Sequence, residues 1–281
     1  MSHDHEHFLN EAWKKDEEIV KTIVANNSLQ EIYQTITYRE KMTPVSGGIL
    51  EIVCMDGRLD ETEKDGSMFV RDGGSGILRK DESIEKIADG YIQAAMEPGI
   101  ETIRLTSHGD CGAWTLSGKD KNEGEKFYDD LRESIAKKIE AAGLPIEVIL
   151  DYIPNIEHDK EGKGLCLPHT ERAAYYANVP SFNPQAVFGL PTGFVISRKY
   201  FESHYAIANA AIAVKIAFGG HGFGERFTKE QPFLLVGIVD DEKKSDEIKK
   251  ELEQAKKVAI EKYLQNVAGV ENRIIIIGLV V

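Results

Sequence analysis

Cys54, Asp56 and Arg58 stand at i, i+2 and i+4 at the end of a short apolar run, Ile49-Leu50-Glu51-Ile52-Val53-Cys54. In an extended chain that period puts all three on one face. Further along, Ser107-His108-Gly109-Asp110-Cys111-Gly112 again falls at the end of a strand-like run. A histidine and a cysteine three apart can face one ion if the chain turns after the strand. The gap from Cys54 to His108 is too long for a zinc finger. It fits two parallel strands joined by a crossover, whose C-terminal ends lie side by side, where the ligand sites of open α/β sheets form. Two cysteines and one histidine leave tetrahedral zinc one open position. An ion held this way binds water, lowers its pKa and supplies hydroxide near neutral pH. Two thiolates neutralise Zn²⁺, so the centre is expected to be a weaker Lewis acid than a three-histidine site, with a bound-water pKa above ~7. Asp56 can accept the water's proton in a hydrogen bond, and Arg58 can hold Asp56 ionised and aimed.

The elements that must position these residues follow from periodicity. Phe8, Leu9, Ala12, Trp13, Ile19, Val20, Ile23 and Val24 recur at helical spacing, and Ser28 can cap a second helix carrying Leu29, Ile32 and Ile36. From residue 49 strands and helices alternate: strands over 49–54, 67–70, 100–107 and 146–153, helices over 81–96 and 124–142. That order argues for a parallel α/β sheet. Thr170–Asn178 reads as a short helix, and Pro180, Pro184 and Pro191 interrupt the stretch after it. An alanine-rich helix over 203–218, a strand over 233–239, an amphipathic helix over 242–266 and a strand over 273–281 complete the chain. The expected class is α/β, a mostly parallel sheet with flanking helices. Its parts are a helical arm over 1–45, a zinc-binding unit over 46–156 and an α/β half over 157–281. The last half echoes the first. Gly99-Ile100-Glu101-Thr102 and Gly269-Val270-Glu271-Asn272 each precede a strand, which suggests a decayed repeat in which Gly278 replaces His108 and no metal ligand survives.

Composition narrows the partners. The 281 residues carry 34 Lys and Arg against 47 Asp and Glu, a formal net charge of −13. That sign repels phosphate backbones and anionic bilayers, so neither nucleic acid nor membrane is an expected partner. No apolar run approaches the roughly 20 residues that span a bilayer, and the polar start lacks the pattern of a signal peptide. Three cysteines, Cys54, Cys111 and Cys166, are an odd number. A reducing cytoplasm with thiols free for metal or catalysis is the expected setting.

Cys54-Met55-Asp56-Gly57-Arg58 and His108-Gly109-Asp110-Cys111-Gly112 resemble the paired signatures of the β-class carbonic anhydrases, a Cys-x-Asp-x-Arg strand end and a His-x-x-Cys-Gly strand end. Arg71-Asp72-Gly73-Gly74 stands where that family carries an Arg-Asn-Ala-Gly-like turn. The resemblance covers roughly residues 49 to 155. It implies Zn²⁺ held by Cys54, His108 and Cys111, with Asp56 and Arg58 as the catalytic dyad. The implied reaction is reversible hydration of carbon dioxide to bicarbonate by zinc-bound hydroxide. It also implies a homodimer or higher homo-oligomer, with the N-terminal arm packed on a neighbouring subunit. In some members the aspartate binds zinc as a fourth ligand until the arginine draws it away. Asp72 departs from the family's asparagine and adds either a negative charge near the site or a cap to the next helix. Two other readings keep the site: a COS or CS2 hydrolase, and a catalytically silent zinc-binding regulatory or scaffold protein.

Weaker candidates lie elsewhere. Cys166 and His169, with His158 nearby, read as a second metal site or as an ordinary loop. His204 and His221 read as proton shuttles or as packing and solvated positions. His3, His5 and His7 read as a disordered polar tail.

Overall fold

The computed structural model describes residues 3–30, 48–57, 59, 67–109, 111–153, 168–184, 189–220 and 222–281. The chain opens with α1 (His3–Asn26) and divides into two compact units. One holds β1 (Ile49–Cys54), β2 (Met68–Asp72), α2 (Ile84–Ala95), β3 (Thr102–His108), α3 (Gly112–Ser117), α4 (Lys121–Ala141) and β4 (Glu147–Ile153). The other holds α1 together with β5 (Ala173–Asn178), β6 (Gly193–Ser197), α5 (Ser203–Ala217), β7 (Phe233–Val239), α6 (Ser245–Tyr263) and β8 (Ile274–Val280). Each unit has one four-stranded, all-parallel sheet, so the α/β class expected from the sequence is the observed one.

In the first unit the strand order is β2-β1-β3-β4. Leu50, Ile52 and Val53 of β1 and Ile103 and Leu105 of β3 are buried because these central strands are covered on both faces, and the two charges among them, Glu51 and Arg104, lie opposite each other and pair. Local chemistry sets the helix ends. Ser83 caps α2 by accepting from the Lys86 amide at 3.3 Å. Asp120 and Glu123 form a reciprocal capping box at the start of α4. Residues 199–201 belong to this unit: the Tyr200 hydroxyl donates to Glu97 at 2.7 Å, and Lys199 pairs with the same carboxylate at 2.8 Å.

In the second unit the order is β6-β5-β7-β8, the same topology with the same sequence of crossovers. β5 therefore stands for β1, β6 for β2, β7 for β3 and β8 for β4. This corrects the register expected for the repeat, which set the last strand against β3. The echo behind that reading is a pair of glycines in the loops before β3 and β8: Gly99 and Gly269 both adopt left-handed φ, 89° and 66°. The metal donors have no counterparts: β5 ends in Asn178 and β7 in Val239. A second correction concerns β5, expected as a helix. Its alanines favour that reading, but the segment is the central strand between β6 and β7, and Ala173 to Ala177 are at most 1% exposed. Burial on both faces removes the alternation that marks a strand. β6 is masked in the sequence by the surrounding prolines.

The arm is part of this second unit. Val20, Ile23 and Leu29, all 0% exposed, join a core with Tyr175, Val236, Ile238, Ile277 and Leu279. The helix covers a sheet of its own chain. Polar contacts fix its register. Asp16 accepts from the Thr192 amide at 2.8 Å. The guanidinium of the fully buried Arg172 stacks on Trp13, 3.5 Å from the ring centroid, and donates to the Gln231 side chain. Burial pulls the Arg172 pKa down to about 10, although Asp16 and Glu17 oppose the shift. The chain is already helical at His3, so the expected disordered tail is not observed. Among the described residues no helix is long and apolar enough to cross a membrane.

Ile23→Ala is expected to cost about 2–5 kcal/mol, the range for truncating a buried isoleucine. Urea unfolding checks this; a cost below about 0.5 kcal/mol, the level of an ordinary surface change, would mean the arm is not part of the core.

Candidate metal centre

β1 and β3 are neighbours in parallel register, with Ile52 opposite Leu105. Their C-terminal ends therefore meet, and Cys54 and His108 are the last residues of the two strands. The chain turns after His108 and delivers Cys111 just ahead of α3. The ligand atoms of Cys54, His108 and Cys111 all lie within 4.8 Å of one another, and the three residues are buried. This buried Cys-His-Cys group can bind a metal ion.

Three observations test the fit. The two sulfurs are 3.8 Å apart; sulfurs held at ~2.3 Å by one tetrahedral ion stand ~3.8 Å apart. His108 Nδ1 lies 2.7 Å from the Gly109 carbonyl, which fixes the tautomer with Nδ1 as donor. Its Nε2 is then left as a buried acceptor with no hydrogen-bond partner. An orphaned imidazole nitrogen beside two sulfurs is the donor set that zinc takes. The chain's residues fit the ion.

The donors also perturb each other. The hydrogen bond from Cys111 holds the Cys54 thiol well below its usual range, and His108 lowers it further. The same bond, with burial, pushes the Cys111 thiol up. Burial opposes protonation of His108, yet the Cys54 sulfur and, behind it, Asp56 push its pKa up to about 9. Backbone amides complete the shell. The Gly74 amide donates to Cys54 Sγ at 3.3 Å, and the backbone at Ala113 lowers the Cys111 thiol against the larger upward push.

Asp56 is buried, 5% exposed, and near enough to bias the titration of all three donors. It is not a member of the Cys54, His108 and Cys111 group. Arg58, its expected partner, lies outside the described residues, as do Asp110, His158, Cys166 and His221. His169 pairs with Glu171 at 3.2 Å. His204 is an exposed residue of the other unit, 3.4 Å from Glu202 and stacked on Tyr205.

The turn after β2 shapes the second layer. Asp72 neither points a bare charge at the donors nor caps α2. Its Oδ1 accepts from the Gly73 amide at 2.8 Å, and its Oδ2 pairs with Arg79 at 2.7 Å. Arg79 in turn stacks on Phe201, 3.8 Å from the ring centroid. Gly74 sits at φ 57° with no room for a side chain: a Cβ there would lie 2.6 Å from both Ala113 and Ile77. Tyr128, Trp114 and Arg79 carry no signal in the sequence, because each meets its partner only through the tertiary fold.

Comparison with models of known families, with curated proteins and with solved structures finds no match to this chain. What the centre does is therefore argued from its donors.

Two outcomes are expected. Zinc uptake at pH 8 should release about two protons, from His108 and Cys111, because a ligand must be deprotonated to bind. Titration calorimetry in buffers of different ionisation enthalpy measures that number, and affinity should fall steeply as pH drops. Asp72→Asn should destabilise the protein by about 1–3 kcal/mol in urea unfolding, because it takes from the buried Arg79 one of its two carboxylates and leaves Glu82.

Proposed function

We propose that Cys54, His108 and Cys111 hold a zinc ion and that the protein catalyses the reversible hydration of carbon dioxide to bicarbonate, as the β-class carbonic anhydrases it resembles do. The observation that carries this reading is the three-donor set: two sulfurs 3.8 Å apart and one unpartnered imidazole nitrogen. A structural zinc takes four protein donors, whereas among the described residues this cluster supplies three.

When bound, the ion supplies the Lewis acidity that lowers the pKa of water at its open position. Cys54 and Cys111, both free thiols, bind as thiolates and cancel the ion's charge, which sets that pKa above ~7. Asp56 accepts the water's proton in a hydrogen bond and so orients a lone pair toward the substrate carbon. In this proposal Arg58, two residues on in the sequence, has the task of keeping Asp56 ionised. Burial of the donors keeps bulk water from competing with these contacts. The free thiols suit a reducing cytoplasm. A homodimer or larger homo-oligomer is part of the same proposal; Leu150 and Tyr152 of β4, the edge strand of its sheet, are exposed apolar residues available to such a contact.

Stopped-flow hydration by the zinc-loaded protein, with metal analysis on the same sample, tests the reading. Activity should rise with pH through the range ~7 to ~9, where water bound to such an ion titrates. Asp56→Ala should lose about 100-fold or more in kcat, the scale of general acid–base assistance, while keeping its zinc. Cys54→Ser should lose both zinc and activity. Hydrogen sulfide release from COS without hydration of carbon dioxide would reassign the substrate. Full zinc with neither activity would leave a silent regulatory or scaffold protein.

A further inference from the structure

The hydroxyl of Tyr128, on α4, is buried and makes two hydrogen bonds. It donates to the Gly74 carbonyl at 2.7 Å and accepts from Trp114 Nε1 at 3.1 Å. These partners belong to the two walls of the metal centre. Gly74 is in the turn after β2, and its amide donates to Cys54 Sγ at 3.3 Å. Trp114 is on α3, and its amide donates to the Cys111 carbonyl at 3.0 Å. One oxygen therefore ties the segment that serves the first sulfur to the segment that carries the second. Its neighbours leave it little freedom. Tyr128 is 2% exposed, its ring packs edge-on against Phe127 at 5.4 Å, and the Trp114 ring lies at 5.9 Å. The turn it holds is equally constrained. Gly74 cannot carry a side chain, and Ser75 beside it is anchored by its hydroxyl to the Thr106 carbonyl at 2.7 Å.

We infer that Tyr128 is a positioning residue for the metal centre: its hydroxyl clamps the Gly74 turn to the Cys111 helix and so sets the separation of the two sulfurs and the amide that Cys54 receives. The inference rests on the reading of Cys54, His108 and Cys111 as metal ligands. It adds a residue that touches neither metal nor substrate and acts through the ligands. Outer-layer contacts of this kind are worth roughly 10- to 100-fold in metal affinity. An amide donated to a thiolate sulfur withdraws charge from it, so the same clamp tunes how strongly Cys54 donates to the ion.

The test compares the full-length wild type with Tyr128→Phe and Trp114→Phe. Tyr128→Phe keeps the ring and loses both hydrogen bonds. Trp114→Phe removes the tether to the Cys111 helix while the hydroxyl can still reach Gly74. Three readouts are taken: Zn²⁺ affinity by chelator competition, the sulfur-to-metal charge-transfer band of the Co²⁺-substituted protein, and hydrogen exchange of the Gly74 amide in the metal-free protein. Tyr128→Phe should weaken Zn²⁺ binding about tenfold or more, shift the Co²⁺ band and speed Gly74 exchange by a similar factor. Trp114→Phe should weaken the metal less and leave Gly74 protected. Equal affinity, band and exchange in wild type and Tyr128→Phe would overturn the clamp. If the wild type binds neither Zn²⁺ nor Co²⁺, the ligand reading fails on its own, and Gly74 exchange still reports on the clamp: faster in Tyr128→Phe supports it, unchanged refutes it.

Discussion

Two cysteines and a histidine far apart along the chain share one buried volume because β1 and β3 run parallel and in register. The rest of the first unit depends on that adjacency. Buried thiols and an imidazole are costly to leave unpaired. Here each biases the others: Cys111 and His108 hold the Cys54 thiol low, Cys54 pushes the Cys111 thiol up, and Cys54 pushes His108 up. The same three atoms are the ones an ion would take.

The turn after β2 makes that arrangement rigid. Its sequence, Asp72-Gly73-Gly74-Ser75-Gly76, resembles a flexible or phosphate-binding loop. Its contacts are those of a fixed part. Asp72 is neutralised by Arg79, which is itself covered by an aromatic ring, and Met55 and Ser75 both return their amides to the Asp72 carbonyl, at 3.1 and 3.0 Å. Cys54 Sγ accepts the Gly74 amide from this turn. A thiolate accepting such a bond is a poorer donor, so the backbone would moderate any ion held there.

Much of this is legible in the sequence where a local rule applies. The strands β1, β3, β4, β7 and β8 are apolar runs closed by polar or breaker residues, and α1, α2, α5 and α6 show helical periodicity or long uninterrupted stretches. The three donors and Asp56 stand out by type and spacing at strand ends. Where the local rule fails, tertiary burial is the cause. β5 is too deeply covered to alternate, and its alanines imitate a helix. The register of the repeat is obscured because a left-handed glycine suits the loop before more than one strand. Tyr128 lies 54 positions from the carbonyl it bonds, a relation no periodicity encodes. Arg79 can be suspected only from the need of a buried Asp72 for a cation.

The placement of α1 bears on how the chain is made. Trp13 and Arg172, joined by a hydrogen bond to the Trp13 carbonyl, are separated by 159 residues. Synthesis proceeds from the N-terminus, so the helix leaves the ribosome long before its sheet exists. Throughout that interval the stripe of Val20 and Ile23 has no native surface to cover it. The intervening unit, whose contacts are nearer in sequence, can condense first. The nascent chain therefore carries an uncovered greasy helix while it waits, a state in which chaperone capture and premature self-association compete until the distant strands emerge.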